Sequence, residues 1–230
     1  MDIGIIGSGQ VGSILARRLA ALGHQVRIAN SRGPESLSAL AGDTGAIAST
    51  VDYAASARDV VIVTIPEKAV PELPHGLFAG STAVVVDTGN YYPARDGRIE
   101  SIEAGLTDSE WVAHVLDRPM AKAFNNILAE SLNSRGEPRG ARGRACLSVA
   151  GDDPTAKQVV LRLFDELGFD GLDAGLLAES WRQQPGTPAY CMDLDQTALQ
   201  AALSKSDAAG IARRRAAANE QAGPFFEAHQ

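Results

Sequence analysis

Apolar residues along this chain fall into two kinds of block. Short, nearly continuous runs occur at residues 2–6, 25–29, 59–65 and 81–87. Between them lie segments in which apolar residues recur every three or four positions, the spacing of one face of a helix. The runs are rich in Val and Ile, as in strands of a parallel sheet covered on both faces. The clearest helical stripe is Val11, Ile14, Leu15, Leu19 and Leu22, and Gly23 marks its end. Shorter helices are predicted at residues 34–41, 53–57 and 111–116, and further strands at residues 46–48 and 120–124. Asn125 and Asn126 are placed at the start of another helix. The alternation predicts an α/β, doubly wound parallel sheet for the first half of the chain.

The second half is more mixed. Residues 134–144 are rich in Gly and Arg and read as a loop. A strand at residues 146–150, a helix opening at Pro154 and a short strand at residues 169–173 follow. A helix at residues 175–181, a loop at 182–188 and a helix at 195–203 come next, then a basic helical segment around Arg213-Arg214-Arg215, read as a solvated face. There is no internal repeat.

The candidate chemistry begins between the first strand and the first helix. Gly7-Ser8-Gly9-Gln10-Val11-Gly12 has G-x-G-x-x-G spacing in a strand–turn–helix context. Gly7 permits the tight turn, Gly9 lets a pyrophosphate approach the backbone, and Gly12 allows close packing of helix on strand. The unpaired N–H groups at the helix start favour an anion. This is the Rossmann-type arrangement. An NAD-preferring site places an acidic residue at the end of the second strand. Here that strand ends in Asn30-Ser31-Arg32. Arg32 offers donors to a 2′-phosphate and Ser31 a hydroxyl, so NADP(H) is expected over NAD(H). Thr64, Ile65 and Pro66, past the C-terminal end of the 59–65 run, are expected to line the cofactor's route.

Composition narrows the class. The chain has 230 residues, 45% of them hydrophobic, and a formal charge of −7. That length holds a dinucleotide domain, residues 1–140, and a smaller C-terminal α/β region, residues 141–230, expected to complete a second ligand site. No apolar run is long enough to span a bilayer. The first strand begins at once, so no signal peptide and a cytoplasmic location are expected. The acidic balance argues against nucleic acid as a partner. Cys146 and Cys191 are too few for a disulfide framework or a cysteine zinc site, and no metal is expected. His24, His75, His114 and His229 fall in no catalytic constellation, and His24 is read as a surface residue.

Several stretches resemble the NADPH-dependent F420 (8-hydroxy-5-deazaflavin) oxidoreductase family, and within it the bacterial branch. They are the glycine motif, Asn30-Ser31-Arg32-Gly33-Pro34-Glu35, Asp87-Thr88-Gly89-Asn90-Tyr91-Tyr92-Pro93, Lys122-Ala123-Phe124-Asn125, Val149-Ala150-Gly151-Asp152-Asp153 and residues 179–188. The resemblance implies hydride exchange between NADP(H) and a planar acceptor, F420 or a flavin. It implies that Ser31 and Arg32 hold the 2′-phosphate and that the segment from Lys122 through Ala123 to Asn125 borders the nicotinamide. Such a transfer needs no side-chain nucleophile, because the cofactors carry the chemistry. Lys122, as a cation near the reduced ring, and Asn125 are the candidate catalytic residues. Arg135, Arg139, Arg142 and Arg144 form either a solvated loop or an attractor for an anionic acceptor tail. Trp181 and Tyr190 either stack on a ring or pack as anchors. A homodimer fits the small C-terminal region. Two alternatives remain: a non-catalytic NADP(H)-binding redox sensor, and a reductase of a small imine or keto substrate.

Overall fold

The structure, a computed structural model, describes residues 1–227. Its centre is an eight-stranded sheet in the order β3-β2-β1-β4-β5-β6-β7-β8. The strands are β1 (Asp2–Ile6), β2 (Gln25–Ala29), β3 (Ile47–Ala48), β4 (Val60–Val63), β5 (Val84–Asp87), β6 (Ala121–Lys122), β7 (Cys146–Gly151) and β8 (Asp170–Asp173). All neighbours pair parallel except β6 and β7. The chain leaves β1 in one direction through β2 and β3, and returns to its other side at β4. The order therefore reverses between β1 and β4, where a doubly wound sheet has its ligand crevice. Strands β7 and β8 extend the same sheet, so residues beyond 140 are joined to the first half edge to edge.

Alternate residues of the buried strands serve the two faces. Ile3, Ile5, Ile28, Val60 and Ile62 pack with the Gln10–Ala21 and Pro154–Glu166 helices. Ile6, Ala29, Val61, Val63 and Val85 pack with the Val51–Ala55 and Asp108–Val115 helices. A third cluster, with Cys146, Ala150 and Leu199, seats the Gln196–Lys205 helix.

The structure moves several predicted boundaries. The helix expected at 111–116 starts at Asp108, because Thr107 and Glu110 form a reciprocal capping box. The helix expected from 53 starts at Val51, because the Thr50 hydroxyl accepts from the Tyr53 N–H. Asn125 and Asn126 do not start a helix; the next one is Ala129–Ser134. Phe124 takes φ 60 and turns the chain there. The segment predicted helical from 175 is a tighter 3-10 turn, Leu177–Gln183. The basic segment lies in a longer helix, Ile211–Glu227, and is not simply a solvated face. Arg215 donates to the Ile102 carbonyl at 3.3 Å and lies over the Tyr91 ring. No helix among the described residues is long and apolar enough to cross a membrane.

Candidate functional site

Sheet register gathers the predicted cofactor residues on one edge. Ala29, Ile6, Val63, Asp87 and Lys122 form a single row across β2, β1, β4, β5 and β6. The next residue along each strand is Asn30, Gly7, Thr64, Thr88 or Ala123. These are the C-terminal ends of parallel strands, with backbone N–H groups of Gly7, Thr64, Thr88 and Ala123 still donating to the neighbouring strand's carbonyls. Thr64, Ile65 and Pro66 are half-buried at this edge.

The glycine loop fits a pyrophosphate by three separate observations. A Cβ on Gly7 would fall inside the Thr64 carbonyl, and Gly7 has φ +119. A Cβ on Gly12 would meet the Gly7 carbonyl and lie 2.8 Å from the Thr64 methyl. A Cβ on Gly9, by contrast, would meet nothing within 4 Å. Two glycines are thus required by packing, and the third opens space at the start of the Gln10–Ala21 helix. No side chain caps that helix at Gly9, so its first N–H groups are available to an anion. Ser13 ties the loop by donating to the Ser8 carbonyl at 3.0 Å.

The end of β2 is arranged around Asn30. Its amide donates to the hydroxyls of Ser8, at 3.1 Å, and Ser36, at 3.0 Å, while its carbonyl accepts from the Arg32 N–H. Ser31 and Arg32 are exposed. Asn30 therefore fixes the backbone, and the Ser31 hydroxyl and Arg32 guanidinium project from it. This set of hydroxyl and guanidinium donors, without a carboxylate at the strand end, suits a phosphate monoester.

Lys122 sits differently from a cation beside a reacting ring. Its side chain is 0% exposed, and its ammonium donates to Asp87 Oδ2 at 3.1 Å and to the Gly89 carbonyl at 2.5 Å. Asp87 also accepts from the Ser109 hydroxyl and the Gly89 N–H. Asp108 and Glu67 are buried in the same cluster. Glu67 accepts from Arg95 at 2.6 Å, and Arg95 is shared with Asp96. Burial drives the Glu67 carboxyl well above its ordinary range, against the pull of Arg95. Burial likewise raises Asp108, opposed by Lys122. Burial alone would lower Lys122; Asp87, Asp108 and Glu67 together overcome that and hold its pKa above the ordinary lysine value. The cluster thus braces the loop after β5 from beneath. Sequence reading missed it, since Asp87 read only as a strand end and no spacing links Glu67 to Asp108.

Asn125 is buried, and its amide donates to Asn90 Oδ1 at 3.1 Å and to the Gln183 carbonyl at 2.7 Å. Ala123 is fully buried, and its N–H donates to the Asp87 carbonyl at 3.1 Å. Tyr190 lies against the loop after β5, its hydroxyl 3.0 Å from that of Tyr92. Burial pushes both phenols up, so they remain protonated. Trp181 is half-buried under the Arg182 guanidinium.

The arginine loop has internal partners. Arg144 is 3% exposed on its side chain and bonds Asp165, Asp170 and the carbonyls of Glu137, Asp165 and Gly168. Arg139 pairs with Asp165 at 2.5 Å. Gly136 of the loop lies against the Arg18 guanidinium in the later turns of the Gln10–Ala21 helix, where Arg18 also donates to the Leu132 and Leu167 carbonyls, away from that helix's N-terminus. His24 is not a free surface residue: it bridges the Met1 amine and Glu166. His229 lies outside the described residues.

Residues 2–91 match the family model described as NADP oxidoreductase, coenzyme F420-dependent. The solved structure of SMa0349 from Sinorhizobium meliloti is similar with a TM-score of 0.71 and 33% identity, over 85% of this chain and 96% of that one. A provisionally named F420-dependent NADP-reductase from Arthrobacter sp. FB24 gives a TM-score of 0.65 over 78% of this chain and 87% of that one. Its 22% identity makes this a likeness of fold. The Escherichia coli K12 protein YjhV is 50% identical over 62 residues, 27% of this chain. The match spans 45% of that curated relative's length.

Proposed function

Because the chain belongs to the family of NADP oxidoreductases described as coenzyme F420-dependent, we propose that it transfers a hydride between NADP(H) and a planar acceptor, a deazaflavin such as F420 or a flavin. The observation that carries this reading is the single sheet edge on which the open space at Gly9 and the exposed Ser31 and Arg32 occur together. Gly7, Gly9, Gly12 and the backbone of Ser8, Gln10 and Val11 hold the pyrophosphate. Ser31 and Arg32 hold the 2′-phosphate, with Asn30 fixing their backbone. Thr64, Ile65 and Pro66 line the route along the edge, and the Ala123 backbone borders the nicotinamide end.

The chemistry supplied by the bound dinucleotide is a hydride donor or acceptor at the nicotinamide. The protein's part is placement. Lys122 and its carboxylates hold the Thr88–Gly89–Asn90 backbone rigidly from below, at no cost in reorganisation. Residues 141–230 contribute Tyr190 and Gln183 to the same edge and, in this reading, complete the acceptor site. No side chain forms a covalent bond to substrate. The test is oxidation of NADPH, followed as loss of its near-ultraviolet absorbance, with F420, FMN, FAD and a quinone offered in parallel. Turnover with F420 or a flavin supports the reading. Tight NADPH binding with no turnover on any of them refutes it and favours a sensor.

A further inference from the structure

The Glu67 carboxyl lies under the loop after β5, and its side chain is 0% exposed. One oxygen, Oε2, accepts from Arg95 at 2.6 Å. The other, Oε1, meets no hydrogen-bond donor among the described residues. It faces a second acceptor instead. A Cβ built on Gly89 would lie 2.5 Å from Glu67 Oε1 and 3.0 Å from Asp87 Oδ1. Two carboxyl oxygens thus converge on one point, in space left open because residue 89 has no side chain.

Charge balance sets Glu67 apart from its neighbours. Four buried carboxyls, Glu67, Asp87, Asp96 and Asp108, face Arg95 and Lys122. Arg215 adds a third positive charge near Asp108, but it also pairs with Glu103 at 3.7 Å. The other charged residues of Glu67's own turn, Lys68 and Glu72, are exposed. At least one carboxyl is therefore in excess of the cations. Asp87 has the Lys122 ammonium, the Ser109 hydroxyl and the Gly89 N–H. Asp96 takes Arg95 through both oxygens and also the Tyr92 N–H. Asp108 has the Tyr91 N–H and the charges of Lys122 and Arg215. Glu67 has only its share of Arg95. An ionised Oε1, without a donor and opposite another carboxylate oxygen, would be costly. A proton on Oε1 removes both faults, because it turns that oxygen into a donor facing an acceptor. Burial, with the charges of Asp108, Asp96 and Asp87, pushes the Glu67 carboxyl the same way against Arg95.

We infer that Glu67 is carried as the neutral acid, with its proton on Oε1 turned toward Asp87, and that this proton latches the loop after β5 to the turn after β4. Losing the proton sets two carboxylates against each other across Gly89, so the latch weakens as pH rises. The loop it fastens carries Thr88 at the sheet edge, which makes that edge sensitive to pH. The inference stands apart from the hydride-transfer reading.

Glu67→Gln supplies the test, since the amide keeps the shape of the neutral acid and an oxygen for Arg95 but cannot ionise. Infrared difference spectra at pH 7, wild type minus variant, should contain the carbonyl stretch of a protonated carboxylic acid. A difference spectrum with an ionised carboxylate in its place overturns the inference. Urea unfolding reads the same proton independently. The unfolded chain releases it near about pH 4.3 and the folded chain holds it to higher pH, so wild-type stability is lost across that interval. The ratio of folding constants, variant to wild type, should rise about tenfold between pH 5 and pH 6, the slope for one proton. An ordinary Glu67–Arg95 ion pair instead makes the variant weaker by a factor that is constant from pH 5 to pH 7, and that result overturns the inference. If the variant does not fold, the wild type decides alone: a spectrum at pH 7 with no protonated carboxylic acid overturns the inference.

Discussion

Replacing Lys122 by Met isolates the electrostatic work of the buried cluster. Met matches the length of the lysine stem and removes only the ammonium. The structure sets the cost. Lys122 is wholly buried and its charge neutralises Asp87 directly, with Asp108 and Glu67 close by. Removing one partner of a buried, hydrogen-bonded pair costs about 3–5 kcal/mol, because the remaining charge is stranded. For a chain of this size that corresponds to roughly 10 °C in Tm. The cost depends on pH in a definite direction. Burial holds the Asp108 carboxyl above its ordinary range, and Lys122 is what pulls it back. Without Lys122 its folded-state value climbs further above the unfolded value of about 3.9. Stability of the variant is therefore lost as pH rises from the unfolded value toward the folded one, and regained on acidification. The stabilisation from Lys122 itself is fully present below its unfolded pKa of about 10.4, so it is constant through this window. Urea unfolding at pH 5 and pH 7.5 reads both quantities. A deficit at pH 7.5 below about 1 kcal/mol, or one equal at the two pH values, refutes the assignment of Lys122 as the cluster's counter-charge.

Other positions make equally specific demands. Gly12→Ala places a methyl against the Gly7 carbonyl and the Thr64 methyl, so NADPH affinity should fall at least about tenfold while the nucleotide-free protein still folds; calorimetry against wild type checks this. Arg144→Met leaves the Glu137 carbonyl without its donor, Asp170 without a counter-charge and Asp165 with Arg139 alone, while the Asp165 and Gly168 carbonyls keep backbone donors; it should cost about 1–2 kcal/mol in urea unfolding, with NADPH affinity unchanged. Gly186 has φ +83, and a Cβ there would lie 2.7 Å from the Arg214 carbonyl. Gly186→Ala should loosen the Ile211–Glu227 helix, seen as faster amide exchange across that helix. Burial pushes the Cys146 thiol up to about 12 and Cys191 to about 11. Cys146 is buried and Cys191 half-buried; both should resist iodoacetamide at pH 8 longer than a free cysteine, and rapid alkylation of Cys146 contradicts its burial.

The edge proposed to bind the dinucleotide was legible in sequence as a strand–turn–helix edge because its determinants are local. Strand, turn and helix spacing put Gly7, Gly9 and Gly12 in their places, and continuous Val–Ile runs marked β4 and β5 as interior. The absence of an acid after β2 is also a local fact. What escaped depends on contacts distant along the chain. Lys122 reads as a strand-end lysine until β6 is paired with β5 and Asp87 falls beside it. Arg144 reads as one of four loop arginines until the Pro154–Glu166 helix brings Asp165 to it. Asn125 reads as a helix cap because Asn favours that position, yet Gln183, 58 residues on, takes its amide. The antiparallel pairing of β7 with β6 likewise has no signature in either strand's composition.

The claim on which the account depends is that the Gly7–Gly12 loop and Ser31–Arg32 form one site selective for a 2′-phosphorylated dinucleotide. Titration of the purified protein with NADPH and with NADH, in wild type and in Arg32→Ala, tests it directly. The account predicts at least about tenfold tighter binding of NADPH, with most of that preference gone in the variant because the guanidinium's charge-assisted bonds are lost. Equal affinity for the two nucleotides in the wild type, or a preference untouched by Arg32→Ala, would contradict it.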